Sequence, residues 1–225
     1  MQQPQQGLKI AILGAECTGK TSLIQALAAA CDLRGQTVQC VTEVLREWCD
    51  ANGRTPSAPE HILIAHAQAQ RVLQAPPCDV LLADTTPLMT AIYSDIVLND
   101  LSLYPFAMAH HAIYDLVLLT GLDLPWVADG IQRDGTQMQR KIDARLREVL
   151  QGHGLHFSVV YGAQGQRCVS ALAAIDQRAA LRSMGPQQRQ AGPSRWQWTC
   201  EKCSDAQCEH HLFTTLIAGS SSLQK

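Results

Sequence analysis

The sequence lacks any long apolar run, any strong excess of charge and any leader-like start. No stretch approaches the roughly 20 apolar residues that span a bilayer, so no membrane segment is expected. The net charge is -2, which gives no general pull towards nucleic acid or anionic lipid. The opening MQQPQQGLK has neither the basic nor the apolar region of a signal peptide, and a cytoplasmic location is the expectation. No internal repeat is visible, which excludes a solenoid.

What is present is globular composition. Hydrophobic residues make up 46% and charged residues 17%, enough apolar material for one main domain and a small appendage over 225 residues. The chain has 9 cysteines, and in a reducing compartment their positions matter more than their number. Cys17, Cys31, Cys40, Cys49, Cys78 and Cys168 stand among apolar neighbours and read as small core residues.

Short apolar runs bounded by turn residues read as strands over 8–13, 37–42, 79–84, 115–120 and 156–162. Between them run helical patterns: 20–31, 43–53, 58–77, two over 87–114, one leading up to residue 150, and a last over 166–184. The run at 79–84 is apolar between its terminal aspartates, as a central parallel strand should be. This alternation predicts an α/β, three-layer fold with a mostly parallel five-stranded sheet. Composition shifts near Ser183, so the domain is expected over 7–183, a linker over 184–196 and a tail over 197–225.

The most specific chemistry lies in Gly14-Ala15-Glu16-Cys17-Thr18-Gly19-Lys20-Thr21, followed by Ser22. It fits the G-x-x-x-x-G-K-[ST] pattern, between a strand and a helix. Glycines allow the tight backbone approach, successive N–H groups face a phosphate, and the helix dipole favours the anion. Lys20 is expected on the β- and γ-phosphates of ATP, and Thr21 on Mg²⁺. Asp84 closes the third strand and suits the second magnesium carboxylate; capping the next helix is a compatible role.

Glu43 closes the second strand, where a carboxylate can orient or deprotonate an attacking hydroxyl. A solvated helical pair with Arg46 is an equal reading. Trp48, Tyr93, Tyr104 and Trp126 are candidates for stacking on an aromatic substrate or for the core. The segment WVADGIQRDG reads as a lid after the fourth strand, with Arg133 and Arg140 reaching over the phosphates; a plain surface loop is the alternative.

The pieces GAECTGKTSL, TEVLREW, LLADTTPLMT and YDLVLLTGLDLPWVADGIQRDG occur in an order that resembles the ribosylnicotinamide kinase domain of the NadR type, within the AAA family of small P-loop ATPases and kinases. The likeness covers roughly residues 8 to 165. It implies an adenylate-kinase-like P-loop NTPase fold and transfer of the ATP γ-phosphoryl group to nicotinamide riboside, giving nicotinamide mononucleotide in NAD biosynthesis. It carries Lys20 and Thr21 over as phosphate and Mg²⁺ ligands, Asp84 as the strand-end carboxylate and Glu43 as a substrate-side acid. The family's D-T-D reads Asp84-Thr85-Thr86 here, and its lid arginine is displaced to Arg133. The alternative function is an ATP-binding switch or slow ATPase.

Beyond the linker, Cys200, Cys203 and Cys208 with His210 or His211 have the residue types and spacing of a zinc knuckle. A structural Zn²⁺ is expected there, stabilising a tail with little apolar material of its own. In the switch reading, the tail engages a partner. Acidic Glu201, Asp205 and Glu209 surround it and disfavour phosphate-backbone binding. The expected partner is therefore a small-molecule substrate, and a homo-oligomer is compatible with the chain.

Overall fold

The computed structural model describes residues 7–126 and 135–183. The chain divides into two compact units, Met1–Ala179 and Ala180–Lys225, and the first carries the architecture below. The proposed tail ligands Cys200, Cys203, Cys208, His210 and His211, the linker, and Arg133 of the expected lid lie outside the described residues.

Strand β1 (Leu8–Leu13) leads into helix α1 (Lys20–Leu33), β2 (Val38–Val41), α2 (Val44–Asn52) and α3 (Ala58–Leu73). Then follow β3 (Val80–Asp84), α4 (Pro87–Leu98), α5 (Tyr104–His111), β4 (Leu116–Thr120), α6 (Gly135–Gly152), β5 (Ser158–Val160) and α7 (Gln164–Ser183). The sheet order is β2-β3-β1-β4-β5, and every pairing is parallel. That is the α/β arrangement the alternating pattern predicts.

Side-chain alternation along β1 divides the core into layers. Ile10 and Ile12 pack with Leu23, Ile24 and Leu27 of α1 and with Ala171 and Ile175 of α7. Ala11 and Leu13 face the other way, against Leu88 and Ile92 of α4, Ala107 of α5 and Ile142 and Leu146 of α6. Each fully buried Leu or Ile contributes on the order of 1.5–3 kcal/mol relative to exposure. The central strand is therefore clamped from both faces.

Cys31 and Cys49 are buried, as their apolar neighbours suggest, but Cys40 is exposed. It stands on β2, an edge strand of the sheet, where an apolar context along the chain does not secure burial.

Register sets the site. Ile12 pairs with Asp84 across β1 and β3, and Val41 pairs with Ala83 across β2 and β3. The loop after β1, Asp84 and Glu43 therefore gather at the carboxyl ends of adjacent parallel strands, where open α/β sheets bind ligands.

Candidate active site

The loop from Gly14 to Gly19 is shaped by side chains that hold its carbonyl oxygens. The Thr120 hydroxyl, at the end of β4, donates to Leu13 O at 3.1 Å. Thr18 Oγ1 donates to Ala15 O at 2.7 Å, and Gln139 Nε2 of α6 donates to Glu16 O at 2.7 Å. Arg167 Nη1 of α7 donates to Thr18 O. In a trans peptide the carbonyl and the following N–H point in opposite directions. Fixing these four oxygens therefore aims the N–H groups of Gly14, Glu16, Cys17 and Gly19 to the other side. That is an anion cradle built before any anion arrives.

Two positions in the cradle need glycine. Gly14 has φ 150°, and a Cβ there would lie 2.1 Å from Thr120 Oγ1. Gly19 has φ 75° and a Cβ would meet Leu124 Cδ1 at 3.0 Å. Cys17 adopts φ 57° without being glycine, an uncommon backbone state within the loop.

Lys20 begins α1 and is buried, its Nζ donating to Ala15 O at 3.0 Å. Thr21 Oγ1 donates to Asp84 Oδ2 at 2.7 Å. The other oxygen of that carboxylate, Oδ1, is buried with no hydrogen-bond partner among the described residues. A buried carboxylate oxygen left without a donor calls for a cation. Thr21 and Asp84 thus fit the expected Mg²⁺: hard oxygen donors, few in number, leaving coordination positions for phosphate oxygens and water. Among the described residues there is no group of three or more His, Cys, Asp or Glu able to hold a metal.

The chain after Asp84 is strained and then capped. Thr85 is β-branched and buried yet has φ 67°, a backbone state that costs energy and often accompanies functional sites. Its N–H donates to Ile12 O at 3.1 Å, which holds the turn to β1. Thr86 is the N-cap of α4, its hydroxyl accepting from Leu88 N. The residue standing in for the family's second aspartate is therefore occupied in starting a helix.

Glu43 lies at the N-cap position of α2, without capping it through its side chain. Burial pushes its carboxyl above the usual carboxylate range; the Lys20 ammonium pulls against that shift, and the negative Asp84 reinforces it. Arg46 Nε approaches Glu43 Oε2 at 3.6 Å, so the pair read from the sequence exists. It coexists with the site position, because only the arginine end is largely exposed. Glu47 takes no part in this cluster. It accepts from Arg71 Nη2 at 2.6 Å and ties α2 to α3.

Tyr93 of α4 donates its hydroxyl to Glu16 Oε2 at 2.7 Å. Burial, then the charges of Glu16 and Glu43, hold its phenol well above the ordinary value. Tyr93 thus lines the carboxylate-rich side of the loop. Trp48 instead carries the Arg54 guanidinium over its ring, and Tyr104 donates to Asp95 at 2.8 Å. Trp126 has a buried indole N–H without a partner among the described residues. Arg140 is exposed on α6; its neighbour Gln139 is the α6 residue that reaches the loop. Thr120, Gln139 and Arg167 carry no local motif and were not legible as site residues.

A family model described as an AAA domain matches residues 9–167. Among curated proteins, none matches significantly. Solved structures do. A NadR protein in complex with NAD and AMP-PNP superposes with a TM-score of 0.63 at 17% identity, covering 78% of this chain and 50% of that one. A NadR protein in complex with NR gives 0.63 and 17%, covering 77% and 51%. The chain thus spans about half the length of these relatives. A deoxyadenosine kinase from M. mycoides with products dCMP and a flexible dCDP bound gives 0.55 and 15%, covering 76% of this chain and 100% of that one. At these identities the likeness is one of fold.

Proposed function

The chain belongs to the AAA domain family, and from that membership we propose that it is a P-loop phosphotransferase acting on a nucleoside-like hydroxyl. The specific reading is phosphorylation of nicotinamide riboside by ATP to give nicotinamide mononucleotide. One observation carries it. Half-buried Glu43, at the N-cap position after β2, stands within electrostatic reach of Lys20 and Asp84, which supports a carboxylate of raised basicity beside the phosphate loop. Solved relatives described as bound to NR and to dCMP support the nucleoside class of acceptor.

In this reading the loop N–H groups and Lys20 hold the β- and γ-phosphates and neutralise charge as the bond to ADP breaks. Glu43 accepts the proton of the acceptor hydroxyl while its oxygen bonds to the γ-phosphorus. Thr21 and Asp84 would hold Mg²⁺, which supplies charge neutralisation on the phosphate oxygens. Tyr93 and Glu16 offer a hydroxyl and a carboxylate to the acceptor side.

The test is a coupled assay with Mg-ATP and a panel of ribosides, with Lys20→Ala as the inactive control. Nicotinamide riboside should be phosphorylated. Intact ATP binding with no phosphorylation of any riboside would sink the acceptor claim. A second reading, a slow ATPase or switch, draws on Thr86 serving as a helix cap instead of presenting a second carboxylate. It requires ADP release that does not change when an acceptor is added.

A further inference from the structure

Arg167 is only 2% exposed, and among the described residues its guanidinium contacts reach strand-end loops around the phosphate cradle. Nη1 donates to Thr18 O, Nη2 donates to Gly121 O at 3.0 Å and Nε donates to Gly162 O at 3.0 Å. Nη2 also pairs with the Asp123 carboxylate. One planar group therefore joins the loops after β1, β4 and β5. Asp123 completes the arrangement by accepting from Gly162 N–H. Arginine suits this task because its donors form a fixed fork, whereas a lysine ammonium is a single point of charge that cannot span three carbonyls.

The position matters as much as the bonds. Glu43 and Asp84 stand at the ends of β2 and β3, so a nucleotide whose γ end and Mg²⁺ face them extends its remaining length towards β4 and β5. Arg167 sits on that side, its Nη1 3.6 Å from where a Cβ on Gly19 would be. By holding Thr18 O it directs the Gly19 N–H into the cradle.

We propose that Arg167 is a positioning residue for the donor nucleotide: it fixes the Thr18–Gly19 peptide and makes phosphate grip depend on the placement of the loops after β4 and β5. It touches no phosphate itself. The role requires only that the loop bind a nucleoside triphosphate, whatever the acceptor.

The experiment measures binding of Mg-ATP and of nicotinamide riboside to wild-type and Arg167→Lys protein by calorimetry, with far-UV circular dichroism as the folding control. Loss of the fork should weaken ATP about 10-fold, the size expected for one charge-assisted hydrogen bond, with riboside binding unchanged. A folded variant that binds ATP normally, or loses ATP and riboside equally, overturns the proposal. Where Arg167→Lys does not fold, Asp123→Asn decides alone: it loosens the guanidinium without removing it. A threefold ATP-specific loss, about half the free energy of a full hydrogen bond, supports the role, and no loss overturns it. Wild-type protein that binds ATP but not the riboside removes the acceptor reading and leaves the ATP arm decisive here. Wild-type protein that binds no ATP overturns both.

Discussion

Glu43 combines a functional need with a stability cost. Its folded pKa lies above the unfolded value, so its contribution to stability is present below about pH 4.3 and is lost as pH rises through the folded pKa. At neutral pH the ionised side chain is thus less stable in place than a neutral isostere. Glu43→Gln should melt at a higher temperature than wild type near pH 7, with the difference vanishing in acid. Phosphoryl transfer should fall by about 10²–10⁴-fold, the usual yield of a general base. Calorimetry across pH and a rate profile check both halves; unchanged transfer would remove the base role. Wild-type transfer should also lose activity on acidification above the ordinary carboxylate range. At this scale the gathering of the 14–21 loop, Asp84 and Glu43 at adjacent strand ends was legible, because loop pattern and strand ends mark those residues. Thr120, Gln139 and Arg167 were not. Their partners lie 107, 123 and 149 residues away along the chain, and a single polar residue near an apolar run has no local signature.

The elements serve the site through their ends. Gln68 of α3 is buried; its Oε1 accepts from Val44 N–H at 2.8 Å and its Nε2 donates to Thr42 O at 3.3 Å. It therefore brackets Glu43 on both sides along the backbone. Helix α3 is secured at its start by a capping box between Ser57 and Glu60. Gln68→Leu should leave both backbone groups unpaired and cost about 1–3 kcal/mol. Urea unfolding measures that cost. Steady-state kinetics should show the KM for the acceptor raised and that for ATP little changed. Central elements were the easiest to read: β1 is apolar from Ile10 to Leu13 and β3 from Val80 to Ala83. The edges were less legible. The expected strand over 156–162 forms only Ser158–Val160, because β5 pairs with β4 alone and its flanks have no further partner.

For the whole molecule, the sheet order puts Glu43 and Asp84, at the ends of β2 and β3, on one side of the loop after β1 and the loops after β4 and β5 on the other. Nucleotide should tie them together. At a concentration of Mg-ATP about 100 times its Kd, binding adds about 2.7 kcal/mol of stability, and Tm should rise by about 5–10 °C. Removing Mg²⁺ with a chelator should shrink the shift, since Asp84 Oδ1 then faces phosphate without a cation. Lys20→Ala should abolish it. A shift that survives Lys20→Ala would place nucleotide binding elsewhere. The parallel, three-layer arrangement was legible from strand and helix alternation alone, because crossover connections leave few topologies open.

The loop after β1 is synthesised before the residues that shape it. The strands that flank β1 are β3 and β4, and two residues that fix the cradle's carbonyls follow Thr18 by 102 and 149 positions. During translation the loop must therefore wait, unshaped, until nearly the whole domain has left the ribosome. A nascent chain cut short before α7 would display every residue of the phosphate motif and still lack the Arg167 contact that sets Thr18 O. Nucleotide recognition in this protein is a late event of folding, and a ligand that requires the finished cradle can report when the domain is complete.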